Sequence, residues 1–116
     1  MRVSVLNKVF IMAANNTPEV FRTAWIPFEG YDSLTAYLTV HSFVNPGDVA
    51  VRVLFSTEGS QEDAPGTTLT AVGPGTVPEN FPVQRATMVR CEVTLTPDTD
   101  VISGVLLDVD IYPDHM

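Results

Sequence analysis

Nucleophilic catalysis on this chain would have to be assembled from two histidines, His41 and His115, and one cysteine, Cys91. A serine hydrolase needs a hydroxyl, a base and an acid that orients the base. His115 is the penultimate residue, and His41 lies in an alternating run on its presumed solvent side, so neither is placed as a base. No serine stands in a Gly-x-Ser-x-Gly elbow. Cys91 falls on the apolar side of its own run, which reads as packing and not as a thiolate nucleophile. One cysteine and two distant histidines do not make a tetrahedral zinc set.

Carboxylates recur at Asp98 and Asp100, at Asp108 and Asp110, and in Glu58, Glu62 and Asp63. None follows the spacing of an EF-hand loop, and acids two residues apart on a strand share one solvated face. Asp108 and Asp110 are expected to meet Arg90 or Arg52 as cross-strand pairs. Glu58 or Glu62 could serve glycoside hydrolysis only within a cleft lined by aromatic rings. The densest aromatic cluster is Trp25, Phe28 and Tyr31, which reads either as a corner plug between strands or as a sugar-stacking platform carried by Trp25 and Tyr31. The residues therefore assign no catalytic group, no metal ligand and no cofactor.

Whatever these side chains do, strands must position them. Leu34, Ala36, Leu38 and Val40 alternate with Thr35, Tyr37, Thr39 and His41. After the turn signal Asn45-Pro46-Gly47-Asp48, Val49, Val51, Val53 and Phe55 line one side of the next run. The two runs are expected to form a hairpin. A second hairpin is expected from Val83–Leu95, with Val89, Cys91, Val93 and Leu95 on one side, and Val101–Tyr112, with Val105, Leu107, Val109 and Ile111 on one side. Arg2–Ile11, Glu19–Ile26 and Thr68–Val72 are further strand candidates, while 56–67 and 73–82 read as exposed loops. About seven strands with such turn spacing predict an all-β chain: a single antiparallel β-sandwich or jelly-roll-like domain.

The small, polar stretch 13–18 divides an N-terminal strand or arm, residues 1–16, from the sandwich, residues 17–116. An arm carrying Val5, Val9, Phe10 and Ile11 is costly to leave in water, so it joins its own sheet or pairs with a neighbouring chain. With the loop acids Glu58, Glu62 and Asp63, these four residues are the candidate partner-binding set.

Fourteen acidic against six basic residues give a net charge of -8, and Lys8 is the only lysine. Such a surface repels phosphate backbones and anionic lipid, so neither nucleic acid nor a membrane is an expected partner. A lone cysteine excludes an internal disulfide. The first twelve residues, interrupted by Ser4, Asn7 and Lys8, lack the apolar stretch of a signal peptide, and folding in a cytoplasm is expected.

The run Ala24-Trp25-Ile26-Pro27-Phe28-Glu29-Gly30-Tyr31, followed by Val53-Leu54-Phe55-Ser56-Thr57-Glu58-Gly59, resembles small β-sandwich virion proteins of tailed phages. The resemblance covers Trp25–Tyr112 and is shared by many carbohydrate-binding and adhesion sandwiches. It implies a non-enzymatic structural protein of a phage virion. A capsid decoration or cement protein comes first, before a head-fibre or tail-associated module. The implied partner is the major capsid protein or another virion protein, and the implied state is a homo-oligomer, with a trimer favoured. The alternative is a carbohydrate-binding or adhesion module.

Overall fold

Runs that alternate apolar and polar residues are satisfied when one side of every strand faces a common core. The computed structural model of the chain, which describes residues 3–14, 17–27, 33–45, 47–56, 64–82, 88–98 and 102–114, shows that arrangement. Its strands are β1 (Val3–Ala13), β2 (Glu19–Arg22), β3 (Ile26–Pro27), β4 (Ser33–Val44), β5 (Gly47–Ser56), β6 (Ala64–Ala71), β7 (Gly75–Pro82), β8 (Met88–Pro97) and β9 (Ser103–Asp114). They form two antiparallel sheets, one in the order β1-β9-β4-β7 and the other in the order β2-β8-β5-β6, with β3 also on β8. The chain is an all-β sandwich.

β2 and β3 pair with successive stretches of β8, so they are one edge strand broken at residues 23–25. Thr23 bridges the break. Its N–H donates to the Cys91 carbonyl at 2.9 Å, and its Oγ1 accepts the Cys91 N–H at 3.0 Å. With β2 and β3 taken together, the pairing is nested. The first strand pairs with the last, the second with the next to last, β4 with β7, and β5 with β6. This is a long antiparallel hairpin rolled up on itself, closed by the β4–β9 and β5–β8 ladders, and it is the two-sheet jelly roll.

The core lies between the sheets. Leu34, Ala36, Leu38, Val49, Val51, Val53, Cys91, Val93, Leu95, Val105, Leu107, Val109 and Ile111 are all buried, as the alternation requires. The strand β1 contributes Leu6, Ile11 and Ala13 to it, with Val5 and Val9 packed against its margin.

Neither expected hairpin forms. The chain leaves β4 in one sheet and enters β5 in the other, and β8 and β9 are likewise in different sheets. At both places the chain therefore passes from one sheet to the other. Asn45 stands at the first crossing in the left-handed region, φ 66°, which asparagine tolerates better than most residues. Its Nδ2 donates to the Ile102 carbonyl at 2.7 Å and so ties the two crossings together. Gly47 fits where it does because a Cβ there would stand 2.9 Å from Ser103 Oγ and 3.0 Å from the Thr96 carbonyl.

Two segments read as loops contain strands. Residues 75–82 form β7, an edge strand on β4, and 64–67 extend β6. The expected continuation of β8 back to Val83 lies outside the described residues, as does Val101.

Candidate functional site

With the core filled, the exposed chemistry lies on the two outer faces. On the face of the β1-β9-β4-β7 sheet, three rows of side chains run along the strands. At one end the Tyr37 and Tyr112 rings meet edge to face, with centroids 5.2 Å apart. Asn80 Nδ2 donates to Thr35 Oγ1 at 2.7 Å and to the Leu34 carbonyl at 3.3 Å.

The middle row is built on Asp108. A bulge in β1 places residues 7 and 8 opposite it, because the register slips between Leu6, which faces Val109, and Val9, which faces Leu107. Lys8 takes φ 51° there and aims its backbone N–H at Asp108 Oδ1, 2.5 Å away. From the other side, His41 Nε2 lies 2.9 Å from Asp108 Oδ2. Partial burial alone would raise the Asp108 carboxyl. The Lys8 N–H, the His41 hydrogen bond and the positive charges of His41 and Lys8 outweigh it and hold the group below its ordinary value.

The far end of this face is apolar. Phe10 faces Leu106 and Met12 faces Gly104 across β1 and β9, while Val44 faces Gly104 from β4. The Phe10 ring lies so close over Gly104 that a Cβ there would come within 2.5 Å of it. Phe10, Met12, Val44 and the neighbouring Ile102 are each about half exposed, at 48, 56, 53 and 50%. Four large apolar side chains thus gather in one patch, a concentration that usually marks an interaction surface.

On the opposite outer face the cross-strand row Arg22, Glu92, Arg52 binds one carboxylate between two guanidiniums. Arg22 Nε donates to Glu92 Oε2 at 2.7 Å, and Arg52 Nη1 reaches Oε1 at 3.4 Å. The Glu92 side chain is 11% exposed, the two arginines 55% and 47%. Next along β8, the Arg90 guanidinium stands over the Trp25 ring, 4.5 Å from its centre. The sequence expectation that Arg52 or Arg90 faces Asp108 and Asp110 is therefore corrected. The arginines and the aspartates lie on different sheets, whose outer faces point away from each other. The carboxylate partner of Arg52 is Glu92, on β8.

Of the candidate partner-binding residues, Val5 and Val9 pack at the core margin, Ile11 is buried and Phe10 stands in the apolar patch. Glu58, Glu62, Asp63 and Tyr31 lie outside the described residues, as does Phe28. Trp25 is half-buried beside Arg90, at the break between β2 and β3. Cys91 is buried with its thiol pushed up to about 12 by desolvation, and His41 is exposed on the face the alternation gave it. Among the described residues no three histidine, cysteine, aspartate or glutamate side chains gather as a metal site. Sequence reasoning missed Met12, Val44 and Ile102. Their signal was their position beside strand ends, where alternation no longer says which side is wet.

No family model matches the chain, and no curated protein does. Its fold is nonetheless similar to solved structures of infectious bursal disease virus. A chain of the Gt strain superposes with a TM-score of 0.67 at 9% identity over 99% of this chain, and one of the Gx strain with 0.65 at 7% over 99%. The present chain spans about a third of the length of those viral chains, 31 and 32%. At such identity the likeness is one of fold alone, a two-sheet β-sandwich.

Proposed function

We propose that this chain is a non-enzymatic structural protein of a virion, acting as a capsid decoration protein that docks as a homo-oligomer on the outer surface of a phage capsid. The observation that carries the reading is the patch of Phe10, Met12, Val44 and Ile102, an apolar docking surface on an otherwise acidic jelly roll. Such surfaces supply the desolvated centre of a protein interface. The fold likeness to viral chains and the resemblance of the Trp25–Tyr31 and Val53–Gly59 runs support the same role. The apolar patch would seat on the capsid or on a sister subunit, while the acidic remainder keeps free nucleic acid away.

The test measures solution mass by sedimentation and binding to capsids that lack the protein. A trimer that binds such capsids, with binding lost in the double variant Phe10→Ser, Met12→Ser, is the expected outcome. A monomer that ignores those capsids overturns the proposal.

A further inference from the structure

The charge on this molecule is unevenly placed. Three of its six basic residues, Arg22, Arg52 and Arg90, stand on one outer face of a chain whose net charge is -8. Arg22 and Arg52 rise from the strands on either side of β8, backbones about 10 Å apart, and turn toward the one Glu92 carboxylate between them. That carboxylate neutralises one of the two guanidiniums, so the triad keeps a net positive charge. A guanidinium has five N–H donors. Arg22 commits Nε and Arg52 one Nη1 to Glu92, and both side chains remain about half exposed. The buried acid thus holds two half-exposed guanidiniums side by side, each with N–H donors beyond those given to Glu92, a combination suited to a carboxylate or sulfate.

What surrounds the triad selects the kind of molecule. Thr68 continues the row beyond Arg52, and the row beside it runs Val20, Thr94, Ala50, Thr70, so three hydroxyls and one exposed valine neighbour the triad. Among the described residues of these two rows Val20 is the one large apolar side chain, where the other face gathers four that could form the centre of a protein interface. On the other side of the triad, two residues along β8, Arg90 holds Trp25, a flat ring able to lie against a pyranose. We propose that the outer face of the β2-β8-β5-β6 sheet is a binding site for an acidic carbohydrate. The Arg22–Glu92–Arg52 triad takes the sugar's carboxylate or sulfate, and Trp25 takes an adjacent ring. This function goes beyond capsid docking and uses the opposite side of the molecule.

The test titrates the full chain with four probes at low and moderate salt: a sulfated heparin-derived oligosaccharide, a sialylated oligosaccharide, its neutral counterpart, and poly-glutamate. Binding of a sulfated or sialylated sugar that weakens with salt is expected. Arg22→Gln and Arg52→Gln should each weaken it about tenfold or more, with Arg52→Lys in between because it keeps the charge and loses the fork. Binding of neither acidic sugar, equal binding of the neutral one, equal binding of poly-glutamate, or unchanged binding by Arg22→Gln would each overturn the proposal. Arg22, on an exposed edge strand, is the deciding position should Arg52→Gln fail to fold.

Discussion

Asp108 is the side chain whose surroundings most clearly set its charge. Its folded value lies below the 3.8 of an ordinary aspartate, so the native state holds the carboxylate more firmly than the unfolded chain does. The stabilisation is complete above about pH 4–5 and is lost as pH falls through the folded value. Asp108→Asn should therefore cost about 1 kcal/mol at pH 7, the usual worth of a partly exposed charge-assisted contact, and less at pH 2. Paired thermal melts at the two pH values measure it. An equal deficit at both would mean that Asp108 acts by shape and not by charge. Cys91 offers a second probe. With its thiol buried and pushed up to about 12, alkylation at pH 8 should be negligible in the native protein and fast in denaturant. Labelling in water then reports the opening of β8, and rapid labelling without unfolding would contradict the burial.

At the scale of the element, β1 separates packing from docking within two adjacent residues. Ile11 points into the core and is 6% exposed, whereas Phe10 points outward and is 48% exposed. Ile11→Ala should lower unfolding free energy by about 2–4 kcal/mol in a denaturant titration, and Phe10→Ser by much less. A similar loss from both would make Phe10 part of the fold.

The faces of the strands were legible from sequence because the period of two is imposed by backbone geometry wherever one side is dry. That is why Leu34 to Val40, Val49 to Phe55 and Val105 to Ile111 fell on the correct sides. Partner choice was not legible. A turn such as Asn45-Pro46-Gly47 reverses the chain equally well beside its own strand or into the other sheet, and only contacts far along the sequence decide. The strand β7 was hidden for another reason. Pro78 and Pro82 break the expected pattern, yet an edge strand accepts them, since its outer row of N–H groups has no ladder to serve. The arginine triad escaped notice because Arg22, Arg52 and Glu92 become neighbours only through the pairing of β2, β8 and β5.

For the whole molecule, β9 is the strand on which the β1-β9-β4-β7 sheet depends, because both β1 and β4 pair with it. A chain ending at residue 102 should keep no cooperative unfolding transition by circular dichroism. A sharp transition in that fragment would show the opposite sheet to be stable alone. Nearly all the pairings are also between segments distant in sequence, which places the fold among slow folders. Nested pairing adds a matter of timing during synthesis. The first strand is made with its ladder partner still about 90 to 110 residues away, as Ile11 waits for Val105 and Val3 for Ile111. At ordinary elongation rates that interval is roughly 5–20 s. Throughout it, Val3, Val5, Leu6, Val9, Phe10 and Ile11 emerge from the ribosome with no strand to join, so this segment is where a holding chaperone would be expected to act.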